Sequence, residues 1–77
     1  MTERIVRINS MKEADEFNKI CSKFACDMDL ASGKYYVDAK SIMGIFSLDL
    51  TRPLTLTVHG KEELEEISSA VAPYLKK

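Results

Sequence analysis

Seventy-seven residues, 45% hydrophobic and 30% charged, form an ordinary globular composition with room for one small domain over residues 1–77. Eleven Lys and Arg against twelve Asp and Glu leave a formal charge of −1 and a pI near 5.8, which argues against a basic nucleic-acid surface. No apolar run approaches the roughly 20 residues of a bilayer span, Met1 to Arg7 alternates charged and apolar residues unlike a signal peptide, and the C-x4-C spacing of Cys21 and Cys26 suits neither a disulfide scaffold nor a zinc knuckle, so a cytoplasmic protein without membrane insertion, metal or cofactor is expected.

In chain order, Glu3–Asn9 alternates, with Val6 and Ile8 on one face and Arg7 opposite, which predicts a strand with one buried face. Ser10-Met11-Lys12-Glu13 has the capping-box pattern, and Met11, Ala14, Phe17, Ile20, Cys21 and Phe24 follow at helical spacing. Met28 and Leu30 alternate with Asp27 and Asp29, and Ser32-Gly33-Lys34 supplies a turn into the β-favouring Tyr35-Tyr36-Val37. Ser41 to Leu48 has the apolar density of a short helix with Ser41 as N-cap. Leu54, Leu56 and Val58 alternate with threonines behind Pro53, which costs no central ladder bond at a strand start. Leu64, Ile67, Val71 and Tyr74 mark a last helix, acidic in its first turn, ended or kinked by Pro73 and closed by Lys76-Lys77 as the helix dipole favours.

The resulting order is β-α-β-β-α-β-α, which predicts an α+β open-faced β-sandwich: a four-stranded antiparallel sheet with three helices on one face. No two carboxylates can be placed across a cleft, so no general acid or base is assigned. The pairs Glu62-Glu63 and Glu65-Glu66 read as a solvated face. Cys21 falls on the apolar stripe, whereas Cys26, past the helix end, reads as exposed; neither has an activating partner in sequence.

The string Lys40-Ser41-Ile42-Met43-Gly44, followed by Ile45-Phe46-Ser47-Leu48, resembles the regulatory-serine region of the HPr family, the histidine-containing phosphocarriers of the bacterial sugar phosphotransferase system. The likeness extends to the element order, the Gly33-Lys34 hairpin, the Leu54–Val58 strand and the two phenylalanines Phe17 and Phe24. It implies an HPr-like fold, phosphorylation of Ser41 by the ATP-dependent HPr kinase/phosphorylase, and partner binding through a patch at Ile42, Met43 and Phe46 together with Lys12. Two departures stand out. The stretch from Gly33 to Ser41 is one residue longer than the family's usual hairpin. The family's G-[LI]-H-[TA]-R-P-A motif is missing: alignment from Phe17 puts Ser10 at the position of its phosphoryl-accepting His and Lys12 at that of its Arg, in a connection about five residues short. A serine hydroxyl forms a stable ester where an imidazole forms a labile phosphoramidate, so Ser10 cannot serve as a reversible carrier. The resemblance is therefore to the histidine-lacking, catabolite-repression branch of the family, with a LacI-type transcriptional regulator or phosphotransferase-system proteins as partners and no direct nucleic-acid contact. The alternatives are a phosphocarrier proper and a binding or assembly module that keeps only the fold.

Each residue also has a plainer reading. Ser41 can be an N-cap and nothing more; Ile42, Met43 and Phe46 can be core; Ser10 with Glu13 can be a capping box, against a vestigial anion site with Lys12 as its positive neighbour. Leu50-Thr51-Arg52-Pro53 imitates part of the lost motif but has Leu50 where the His would stand. His59, the only histidine, ends the fourth strand at the end of the sheet opposite the lost site and reads as solvated.

Overall fold

Alternating apolar residues bring four strands into one antiparallel sheet. In the computed structural model, which describes residues 2–75, β1 is Thr2–Val6, β2 Met28–Ser32, β3 Tyr35–Asp38 and β4 Leu54–Val58, in the order β1-β4-β2-β3. The most regular of them, β4, is bonded on both edges: Leu54 lies beside Val6, and one inward row reads Arg4–Leu56–Leu30–Val37. A slip of one residue would turn Leu54, Leu56 and Val58 outward, so burial pins this register. The β2–β3 hairpin closes through Gly33, whose φ of +61° is the left-handed conformation a glycine adopts without strain.

Helices α1 (Met11–Cys21), α2 (Ile42–Phe46) and α3 (Leu64–Ala70) cover one face of the sheet, with a 3-10 turn at Ala72–Tyr74. Ala14, Phe17, Cys21, Ile45, Ile67 and Val71 join Val6, Met28, Leu30, Leu54, Leu56 and Val58 in one core. Phe17 is wholly buried and meets Tyr74 edge-to-face, with ring centroids 5.3 Å apart, a favoured aromatic geometry. Ala31, on the opposite face, is buried yet lies outside that core cluster. The predicted α+β open-faced sandwich is the architecture formed.

Element ends differ from the periodicity for identifiable reasons. The first strand stops at Val6, not Asn9, because its extension meets the C-terminal segment in place of β4: Arg7 N–H donates to Tyr74 O at 2.7 Å and Val6 bridges Leu75. Ile8 is nevertheless fully buried. Helix α1 ends at Cys21, where Ser22 Oγ donates to Asn18 O at 2.8 Å, so Phe24 packs on the core from the following turn. Met11 is not on the buried stripe; it opens the helix and is 57% exposed. The short helix closes at Phe46, with Ser47 and Leu48 in turn-type bonds behind it. Helix α3 ends at Ala70, consistent with Pro73, which in a continuing helix would have no N–H to donate and would crowd the carbonyl of Ser69. The expected cationic finish at Lys76-Lys77 lies outside the described residues.

Candidate functional site

Ser41 sits on the surface between β3 and α2, in extended backbone that places its hydroxyl over the first turn: Gly44 N–H donates to Ser41 Oγ at 3.2 Å. The approach to it is tightly held. Ala39 is buried and its N–H donates to Met28 O at 3.0 Å. Asp38 Oδ1 accepts from Lys40 N–H at 2.9 Å, and Lys40 Nζ donates to Phe24 O at 2.6 Å. The hydroxyl is thus exposed on a fixed backbone. Gly44 has a steric role: a Cβ there would stand 3.0 Å from Val37 Cβ and 3.4 Å from Ser41 Oγ. The close approach of α2 to β3 favours a residue without a side chain.

Helix α2 divides its apolar residues between core and solvent. Ile45 is buried and Ile42 half-buried, whereas Met43 is 75% and Phe46 36% exposed. Tyr35, which the sequence marks only as a strand residue, adds to this surface: its hydroxyl lies 3.3 Å from Ser47 Oγ at the end of α2, and the ring is exposed. Its position two residues before the half-buried Val37 puts it on the helix side of the sheet, which the alternation could have revealed. Lys12 is exposed in the first turn of α1, while it is Asn18, further along that helix, whose side chain reaches Ala39 O at 3.4 Å.

At the start of α1, Glu13 N–H donates to Ser10 Oγ at 3.1 Å, and Glu13 Oε1 accepts from Asn9 N–H at 3.0 Å. The capping box therefore forms with its return bond one residue further out than the usual partner. A carboxylate already stands where an anion would bind, which disfavours Ser10 as a vestigial anion site. Leu50–Pro53 leads into β4 at this same end of the sheet, since Leu54 pairs with Val6. Asp49 occupies its polar groups, accepting from Thr51 N–H at 3.0 Å and pairing with Arg52 Nε at 3.4 Å. The bonds from Thr51, aided by Arg52, hold the Asp49 carboxyl below its usual range. His59 follows Val58, which pairs with Thr2, so it lies at the far end of the sheet from Ser10. It is not simply solvated: Nε2 donates to Asp29 Oδ2 at 2.6 Å.

Two further groups have structural tasks. Glu63 leaves the solvated face assigned to it: its Oε1 accepts from Ala25 N–H at 2.8 Å and Cys26 N–H at 3.0 Å. Cys26 is half-buried rather than exposed, and burial, then the Glu63 charge, raise its thiol. Burial drives the Cys21 thiol up to about 12, only partly opposed by Lys40. Among the described residues no three His, Cys, Asp or Glu side chains converge to hold a metal ion, and no helix is long and apolar enough to cross a membrane.

The family model described as PTS HPr component phosphorylation site matches residues 10–76. The chain belongs to the HPr family. Solved HPr-family structures superpose over nearly its whole length. HPr-C-His from Thermoanaerobacter tengcongensis is 30% identical with a TM-score of 0.79, over 95% of this chain and 89% of that one. The phosphocarrier protein HPr from Bacillus anthracis is 27% identical with a TM-score of 0.74, over 97% and 96%. The catabolite-repression protein Crh of Bacillus subtilis is 27% identical with a TM-score of 0.65, over 94% and 88%. No curated protein matches the chain significantly in sequence. Within this HPr frame the structure brings Ser41, Ile42, Met43 and Phe46 together on α2, and keeps the only imidazole, His59, at the end of the sheet away from Ser10.

Proposed function

We propose that this HPr-family chain is a regulatory interaction protein controlled by phosphorylation of Ser41. One observation carries the reading: an exposed Ser41 hydroxyl on a pinned backbone stands at the head of a helix that leaves Met43 and Phe46 in solvent. In the modification, Ser41 Oγ forms the new O–P bond to the γ-phosphorus of ATP, the bond to ADP breaks, and the hydroxyl proton passes to a base of the kinase. The product adds about −1.5 to −2 charges beside an apolar surface. Such a change creates a site for a partner with Arg or Lys next to an apolar pocket, or repels a partner that needs the bare surface. The five-residue α2 has little dipole of its own, so the switch acts through the phosphate charge and not through helix stabilisation.

HPr kinase/phosphorylase is the proposed modifier, and a LacI-type transcriptional regulator is the proposed reader. Any effect on DNA then runs through that reader. The catabolite-repression role named for Crh supports this branch of the family. Phosphotransfer proper has the family description in its favour, but the occupant of the carrier position, Ser10, is a capping residue whose Oγ accepts from Glu13 N–H, with the Glu13 carboxylate on the neighbouring Asn9 amide.

Incubation of the purified protein with HPr kinase/phosphorylase and ATP, read by intact mass, tests the proposal. A gain of one phosphate that disappears in Ser41→Ala is the expected result. No gain, with a genuine HPr modified in a parallel reaction, overturns it in favour of a fold-only module. Phosphorylation by phosphoenolpyruvate and enzyme I would restore the carrier reading.

A further inference from the structure

Lys40 stands next to the exposed Ser41 hydroxyl, yet its own charge is turned inward. A surface lysine ordinarily leaves its ammonium in water. Here the residue is half-buried, and Nζ donates to Phe24 O, in the turn after α1, at 2.6 Å. Among the described residues no Asp or Glu side chain pairs with it. The charge also bears on the thiols of Cys21, the last residue of α1, and of Cys26. It therefore stands by the C-terminal end of α1, where the helix dipole favours a cation. A hydrogen bond from an ionised donor is roughly twice as strong as a neutral one, so this is a firm tie.

The turn over residues 38–41 is closed from within by Asp38, whose Oδ1 accepts from Lys40 N–H and whose carbonyl accepts from Ser41 N–H, both at 2.9 Å. Such local bonds shape the turn. Where it stands is fixed by bonds to other elements: Ala39 N–H donates to Met28 O at 3.0 Å, Asn18 Nδ2 reaches Ala39 O at a longer 3.4 Å, and Lys40 reaches Phe24. Of these ties, the one through Lys40 is nearest to Ser41 in the chain.

Phosphoryl transfer to a hydroxyl depends on holding the oxygen in line with the leaving group, and a displacement of about 1 Å can cost about 100-fold in rate. We infer that Lys40 is a positioning residue for the modification of Ser41: its ammonium, committed to the Phe24 carbonyl, fixes the backbone that carries the hydroxyl and is not itself a cation read by the modifying enzyme. The inference rests on the reading of Ser41 given above, and names the neighbour that makes this serine a competent acceptor.

The test measures kcat and KM for phosphorylation of the full chain by HPr kinase/phosphorylase and ATP, together with amide hydrogen exchange of each unmodified variant. Lys40→Met removes the ammonium and keeps an apolar stem. It should lower kcat about tenfold with KM nearly unchanged. The amides of Ala39 and Ser41 should then exchange faster, while Leu56 in the central strand β4 keeps its rate. Lys40→Arg restores a cationic donor and should recover most of kcat. Asn18→Ala loosens the same turn without altering the charge, and should lower kcat by a smaller factor. A rise in KM with kcat kept would make Lys40 a docking cation. Equal kcat in Lys40→Met and the parent would leave it without a role, and faster exchange at Leu56 in step with the loss of kcat would make it a general stabiliser. Each of these overturns the inference. Absence of phosphate on the parent chain is a separate result: it removes the reading of Ser41 itself, and the role of Lys40 with it.

Discussion

A side chain at position 44 would have to displace Val37, whose Cβ would be 3.0 Å from the added carbon. Alanine gains about 1 kcal/mol of helix propensity over glycine, while overfilling a packed contact costs about 1–3 kcal/mol. The contact should win, because α2 is held by packing against β3 and α1 rather than by its own five residues. Gly44→Ala is therefore expected to lower the urea midpoint by the equivalent of about 1 kcal/mol. The thiols offer a second test. The Cys21 pKa is raised from 9.0 to about 12, with burial as the largest cause. Folding thus keeps that thiol neutral; the associated stability is complete below pH 9 and is lost as pH rises toward 12. Iodoacetamide at pH 8 should label Cys26 and leave Cys21 untouched until the chain is unfolded, as read by peptide mass.

Elements are joined here by side chains that reach back to distant backbone. Glu63 makes no cap for its own helix; its carboxylate instead ties the start of α3 to the turn between α1 and β2 through Ala25 and Cys26. Glu63→Ala should cost about 1–2 kcal/mol in chemical denaturation, since two amides lose a charged acceptor but can turn to water. Glu63→Gln keeps an acceptor oxygen and should cost less. Both variants should make Cys26 more reactive toward alkylation, because the Glu63 charge raises its thiol. The two serine caps are a contrast. Ser10 and Ser41 each bond an amide three residues on, and both were legible from sequence. The partners of Glu63 lie 37 and 38 residues away, so nothing local could mark it out from the acidic pairs around it.

Across the molecule, the sheet and its helical layer share one small core centred on Phe17. A chain of this length has a net stability of roughly 4–12 kcal/mol, and Phe17→Ala removes about 3–5 kcal/mol. That variant should melt far lower than the parent in calorimetry, with Tyr74 losing its edge-to-face partner. Periods of two and of three to four residues, the capping serines and Pro73 were enough to order the elements as β-α-β-β-α-β-α, because each signal lies within a turn or a strand of the residue it specifies. The same sequence carries Ser41 and the apolar string behind it. It could not say that β1 would end at Val6, that His59 would bond Asp29, or that Ile45 would be buried while Met43 stays in solvent. Those outcomes depend on which surfaces meet when the strands close in the order β1-β4-β2-β3. Burial is a property of the assembled layers, and only the tertiary structure decides it.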